Sequence, residues 1–177
     1  MAAYYLERAP QHKLNDIKLM KLIAFAERQC LLETTSLITG ARFVSMQWGV
    51  VMSEVWSLMT GQMHEPLWDA SVKFVRHIHP EDESNHCELT KQIDALKYLA
   101  IYEVELMDKL WAEHEFHDEW EMPDASHHLP EWDETQATKK SSSRIELETI
   151  FETGFNDSPQ DARRKAAEIR YFDRIFK

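Results

Sequence analysis

Glycine is scarce in this sequence: four in 177 residues. A phosphate-cradling loop needs several glycines for close backbone approach, and neither G-x-G-x-x-G nor G-x-x-x-x-G-K-[ST] occurs. The same scarcity argues against an all-β chain of tight turns. Two cysteines, Cys30 and Cys87, cannot staple a chain this long, and no C-x-x-C is present. Each cysteine is expected to behave as a small buried hydrophobe. No G-x-S-x-G elbow presents a serine nucleophile. Positive charge is also short, 20 Lys+Arg against 31 Asp+Glu, for a net charge of −11. Such a balance disfavours general binding to a phosphate backbone, which attracts proteins through Lys and Arg. No apolar run approaches a membrane span, and no basic stretch followed by an apolar run marks a signal peptide. A cytoplasmic protein is expected.

What is present is enough for a real core. Hydrophobic residues make up 44%, with six Trp and eight Phe, so disorder of the whole chain is excluded. The length fits one domain of ordinary size. Its acidity suits a basic protein partner, because opposite fields steer encounter.

Residues 1–12, closing around Pro10, read as an N-terminal leader. From Lys13 to about Leu32 a helix is expected, with Asn15 or Asp16 as its cap. Its broad apolar arc makes it central. Arg42–Trp48 has strand composition, with Val44, Met46 and Trp48 on the face set towards the core, and Gly49 breaks it. A second helix is expected from about Val51 to Thr60. Residues Ser71–His79 alternate as a strand, and Cys87, Leu89, Lys91 and Ile93 read either as its return strand or as one side of a helix. A strong helix runs from about Leu99 to Glu115. Pro123 and Pro130 bracket an irregular segment, and Asp133–Ser143 reads as a linker. Ser158-Pro159 marks the start of a last helix. The expected fold is α+β and mainly α-helical, a helical core with one small antiparallel sheet.

Nine histidines raise the question of a metal. His114 and His117 have the i,i+3 spacing that puts two ligands on one helix face, and His77 and His79 share a strand face. H-E-x-x-H is absent, and a solvated acidic helix end is the favoured account of His114 and His117. No metal site, cofactor or catalytic residue is assigned, and the chain is not expected to be an enzyme. Among the tryptophans (48, 56, 68, 111, 120 and 132), the core reading is favoured for each singly, with one at an interface expected from the set.

Four blocks occur in a telling order. Lys18-Leu19-Met20-Lys21-Leu22-Ile23-Ala24-Phe25-Ala26 follows a K-L-x-K-L-L-Y-F-A run, with Ala24 for the tyrosine. Gly49, Val51, Ser53, Glu54 and Val55 fall on a G-P-V-x-S-E-V-Y pattern, with Val50 for the proline and Trp56 for the tyrosine. Tyr98–Glu105 is similar to an L-S-x-x-E helix start, with Ala100 in place of the serine cap. His127-His128-Leu129-Pro130-Glu131-Trp132 follows H-x-x-P-E-W. Together they resemble the Panacea domain family of SocA-like antitoxins. The resemblance favours a hairpin over Val72–Ile93. It implies a single domain over residues 13–177, with core motifs in 13–132 and C-terminal helices in 144–177.

The resemblance further implies an antitoxin that binds and neutralises a cognate toxin protein directly, with a protease as a further partner if it acts as an adaptor. Trp48, Gly49, Val51, Ser53, Glu54, His127 and Trp132 are the motif positions expected to shape the binding platform, and His127 is expected to hold its segment by a hydrogen bond. Two other readings stay open: an interaction protein of a phage or mobile element acting on a host factor through the same scaffold, and a histidine-based metal-dependent hydrolase. Neither nucleic acid nor membrane is expected as a partner. The basic stretch Arg163-Arg164-Lys165, with Arg170 and Arg174, is the one feature that suits DNA-binding autoregulation.

Overall fold

A computed structural model describes residues 1–77, 84–132 and 142–175. The expectations for Ile78, His79 and the loop through Glu83, and for Asp133–Ser141, lie outside the described residues. The described residues form eight α-helices and two three-stranded antiparallel sheets, so the fold is α+β and mainly helical, with two small sheets rather than one.

The first segment packs into the core. Ala2–Arg8 is a helix, α1, and its Tyr4, Tyr5 and Leu6 are buried in the core. The apolar run Ala-Ala-Tyr-Tyr-Leu supplies the burial, and Pro10 opens a short 3-10 turn that ends the helix at Ala9. Lys13–Asn15 then forms strand β1, so the long central helix, α2, starts later than expected and spans Asp16–Thr34. Asn15 is its cap, its side-chain oxygen accepting from the amides of Ile17 and Lys18 at 2.9 and 3.2 Å. Thr35, in the left-handed region at φ 56°, closes it with an amide that donates to the Leu31 carbonyl. Helix α2 is buried along most of its length and touches α1, β1 and several of the later elements, as its broad apolar arc requires.

Strand β2 (Phe43–Met46) alternates, but with the opposite face inward: Phe43 and Ser45 are buried while Val44 and Met46 are half-exposed. Gly49 does not end the strand region. It opens a second strand, β3 (Gly49–Met52), paired to β2 with Phe43 opposite Met52 and Met46 opposite Gly49. The expected second helix is therefore shortened to α3 (Ser53–Met59). Helix α4 (Pro66–Ser71) follows, with the Glu65 side chain accepting from the Trp68 amide at 2.8 Å. The hairpin is present: β4 (Val72–Val75) pairs antiparallel with β5 (His86–Leu89), and β1 lies on the other side of β5.

Helix α5 (Ile101–His114) starts with half a capping box, because Ala100 has no hydroxyl but the Glu103 carboxylate still accepts from its amide at 2.8 Å. The segment expected to be irregular contains a helix, α6 (Glu121–His127), which tolerates Pro123 because the first turn needs no amide donor there. Ser143, expected in a linker, begins strand β6 (Ser143–Arg144), which adds to β2. Helices α7 (Leu147–Gly154) and α8 (Pro159–Ile175) complete the described chain. At the start of α8 the Ser158 hydroxyl accepts from the Asp161 amide at 3.2 Å. No helix among the described residues is long and apolar enough to cross a membrane.

Candidate functional site

Trp48, Gly49, His127 and Trp132 gather at one corner, where the turn end of the β2–β3 hairpin meets α2 and α6, while Ser53 and Glu54 lie with Arg42 at the hairpin's other end. Gly49 is fixed there by two constraints. Its φ is +95°, and a Cβ at this position would lie 2.1 Å from the Ser126 hydroxyl and 2.9 Å from the Lys21 ammonium. Ser126 comes this close because its hydroxyl accepts from the Val50 amide at 2.7 Å. The carbonyl of the same residue accepts from Lys21 at 2.9 Å. Both polar groups of Val50 are thus held by side chains, one from each neighbouring helix.

Lys21 is fully buried, and burial pushes its ammonium down to about 7. A buried lysine beside a serine has the composition of a nucleophile and its base. Here the serine is fully buried and its hydroxyl is occupied by the Val50 amide, so the pair ties the hairpin to the helices. Lys18, one turn earlier on α2, donates to the carbonyls of Glu115 and His117 at 2.6 and 2.7 Å and so satisfies the open C-terminal end of α5. The two lysines of the K-x-x-K run therefore fasten two other elements to the central helix.

The P-E-W segment fastens a third. Glu131, whose side chain has no exposed surface, pairs with Arg28 of α2. Trp132 donates its indole N–H to the Met46 carbonyl at 3.1 Å, just before the hairpin turn. His127 stacks on the Trp132 ring with centroids 4.0 Å apart and planes 20° apart. The expected hydrogen bond from His127 is not what holds this segment: its Nε2 is buried without a partner, and ring stacking supplies the contact.

Val51 is buried in β3 opposite Val44. The Ser53 amide donates to the Arg42 carbonyl at 2.8 Å, and the Glu54 carboxylate accepts from the amide and the guanidinium of Arg42, both at 2.7 Å. Burial raises the Glu54 carboxyl, but these Arg42 donors outweigh it and leave it below the usual range.

A family model for the SocA-like antitoxin, Panacea domain, matches residues 19–133. The chain belongs to this family. The matched segment contains the whole corner, and no curated protein or solved structure matches the chain.

Two residues of this Panacea domain point outward from the corner. Trp48, in the hairpin turn, is 51% exposed and meets Trp120, 64% exposed, edge to face with centroids 6.4 Å apart. Trp120 was not singled out by motif. The available signal was its setting, a tryptophan flanked on both sides by Glu in a region without Lys or Arg. The other four tryptophans are half-buried.

Among the described residues the histidines do not assemble a centre. His114 is buried against Phe25 rather than solvated, and its Nδ1 lies 2.9 Å from that of His117. Burial lowers the His114 pKa. His77 packs on His86, which the Ser71–His79 alternation did not suggest. No group of three or more His, Cys, Asp or Glu among the described residues is placed to hold a metal ion. Cys30 and Cys87 are both buried and free, and burial pushes the Cys87 thiol up to about 12.

A cleft of about 430 Å³ lies between α1, α3 and α4, lined by Ile23, Val55, Leu58, Leu67, Trp68 and Val72. Four of its polar side chains have local partners: Glu54 holds Arg42, Glu65 caps α4, Thr39 donates to Glu27 and Ser71 to the Leu67 carbonyl. A ligand there would meet apolar wall and little that fixes its orientation.

Proposed function

We propose that the chain is the antitoxin of a toxin–antitoxin pair, neutralising its toxin by direct binding in the cytoplasm. Family membership over residues 19–133 carries the reading. Its physical support is that charged and polar side chains around the central helix are occupied inside the domain. Lys18, Lys21, Ser126, Arg28 and Glu131 all bind elements of the chain itself. Such a corner is suited to rigid presentation of a surface, and a preorganised surface loses less entropy on binding. The net charge of −11 favours a basic toxin by steering encounter.

The test is growth rescue. The open reading frames on either side of the gene are expressed singly and then together with this chain. One of them is expected to arrest growth alone and to lose that effect when the chain is co-expressed. If both are harmless, or if the arrest persists with the chain present, the reading fails.

A further inference from the structure

We infer that the Trp48–Trp120 edge is the surface that engages the toxin and that it takes an arginine-bearing segment. The inference rests on the antitoxin reading and adds the location and the chemistry of the contact.

Exposed aromatic pairs are uncommon, because a tryptophan normally gains by burial. Here the two are contributed by separate elements. Trp48 sits in the hairpin turn whose flanking residues are tied by Trp132 and Ser126, and Trp120 sits immediately before α6. Both indoles are therefore mounted on fixed backbone, and each keeps about half or more of its surface open. That is the composition of an interface anchor, where tryptophan is enriched and rigidity lowers the cost of binding.

Charge decides the kind of partner. From Glu113 to Asp124 the chain carries six carboxylates and no Lys or Arg. Three of them, Glu115, Asp118 and Glu121, act on the Lys18 ammonium, so they share one neighbourhood. Among the described residues Lys18 is the cation placed with them, and it is occupied by the Glu115 and His117 carbonyls. Asp118 accepts from the amides of Trp120 and Glu121 at 2.8 and 2.9 Å, which fixes a carboxylate two residues before the exposed indole. Glu119 accepts from the Ser84 hydroxyl at 2.8 Å. Carboxylates held beside open indole faces match a guanidinium better than an ammonium. The planar cation stacks on the ring and donates to a carboxylate in two parallel bonds, while lysine offers a hydrated point charge.

A second copy of the chain is a poorer occupant, because three of the five cations of its basic helix are already paired. Arg164 binds Asp161 and Glu168, Lys165 binds Asp157, and Arg170 binds Glu146 and Glu148.

The experiment has two arms on the full chain. In the first, an acetylated, amidated Gly-Arg repeat decapeptide and its Gly-Lys counterpart are titrated by calorimetry. The arginine peptide is expected to bind about ten-fold tighter, and Trp120→Ala and the pair Glu119→Lys/Asp124→Lys each to weaken it by about five-fold or more. Trp120 is largely exposed, so an unchanged thermal midpoint for Trp120→Ala separates lost contact from lost fold. Equal binding of the two peptides, or binding indifferent to these variants, overturns the inference. In the second arm, Trp48→Ala/Trp120→Ala is placed in the growth-rescue assay and is expected to lose neutralisation. Rescue by this variant equal to wild type overturns the edge as the toxin surface and leaves the antitoxin reading intact. Failure of the wild-type chain to rescue strikes the antitoxin reading alone, and the peptide arm still decides the chemistry of the edge.

Discussion

The Lys21 ammonium and the Val50 carbonyl lie 2.9 Å apart, joining the middle of the central helix to the hairpin that carries Trp48. The bond places a cation where no water reaches it, and burial alone lowers its pKa from 10.5 to about 7. The folded chain therefore binds fewer protons at this site than the unfolded chain between pH 7 and 10.5. Stability contributed by this group rises with pH across that window.

Lys21→Met removes the titration. From pH 7 to 9 the stability of wild type is expected to rise relative to the variant, with a limiting slope of about 1.4 kcal/mol per pH unit for one proton. Urea denaturation of both proteins at pH 6, 7, 8 and 9 gives the difference directly and cancels the titration of tyrosines and cysteines common to both. A pH-independent difference would contradict a buried, depressed Lys21.

Gly49→Ala tests the close approach. The new Cβ would meet both the hydroxyl and the Cβ of Ser126, at 2.1 and 2.7 Å, from a left-handed φ. A loss of about 3 kcal/mol is expected in denaturant unfolding, from overpacking together with backbone strain. Gly61 is the internal comparison. It has φ +70° but open space around its Cβ position, so Gly61→Ala is expected to cost only the strain, about 1 kcal/mol.

The Glu131–Arg28 pair is held in the interior, with side chains 0% and 14% exposed. Arg28→Met leaves a buried carboxylate without its cation and is expected to cost about 3 kcal/mol or more. Adding Glu131→Leu is expected to recover most of that loss, because the lone charge is then gone. A double-mutant cycle in thermal unfolding measures the coupling, and additivity of the two changes would refute it.

His127→Ala removes the ring beneath Trp132 and is expected to cost about 1 kcal/mol and to shift the emission of the chain. His127→Phe keeps the stack and is expected to retain the stability, since the buried Nε2 donates to nothing and accepts from nothing. If phenylalanine fails where histidine works, a hydrogen bond rather than stacking holds the segment.

Much of this architecture is legible in the residues. Asn15 and Ser158 announce their helices because a cap is a local device, readable from a side chain and the amides next to it. The central place of α2 follows from its broad apolar arc. What was hidden depends on distant partners. The alternation over Phe43–Met46 is plain, but its inward face is chosen by β3 and β6 on either side, so a serine is buried and a tryptophan is left outside. Tyr4 and Tyr5 lie in a stretch that reads as a leader until the surfaces that bury them are known. Lys18 and Lys21 are visible as charges within an apolar run. Their carbonyl partners, 97 and 29 residues away, are not. The motif order picks out Glu54 and His127 and not Trp120, whose contact with Trp48 joins elements far apart in the chain.

The most direct measurement is calorimetric titration of the purified chain against the neighbouring gene product that arrests growth, compared with Trp48→Ala/Trp120→Ala. The account predicts a stoichiometric complex with wild type that weakens by about ten-fold or more in the variant. Growth rescue without any complex between the two purified proteins would contradict it.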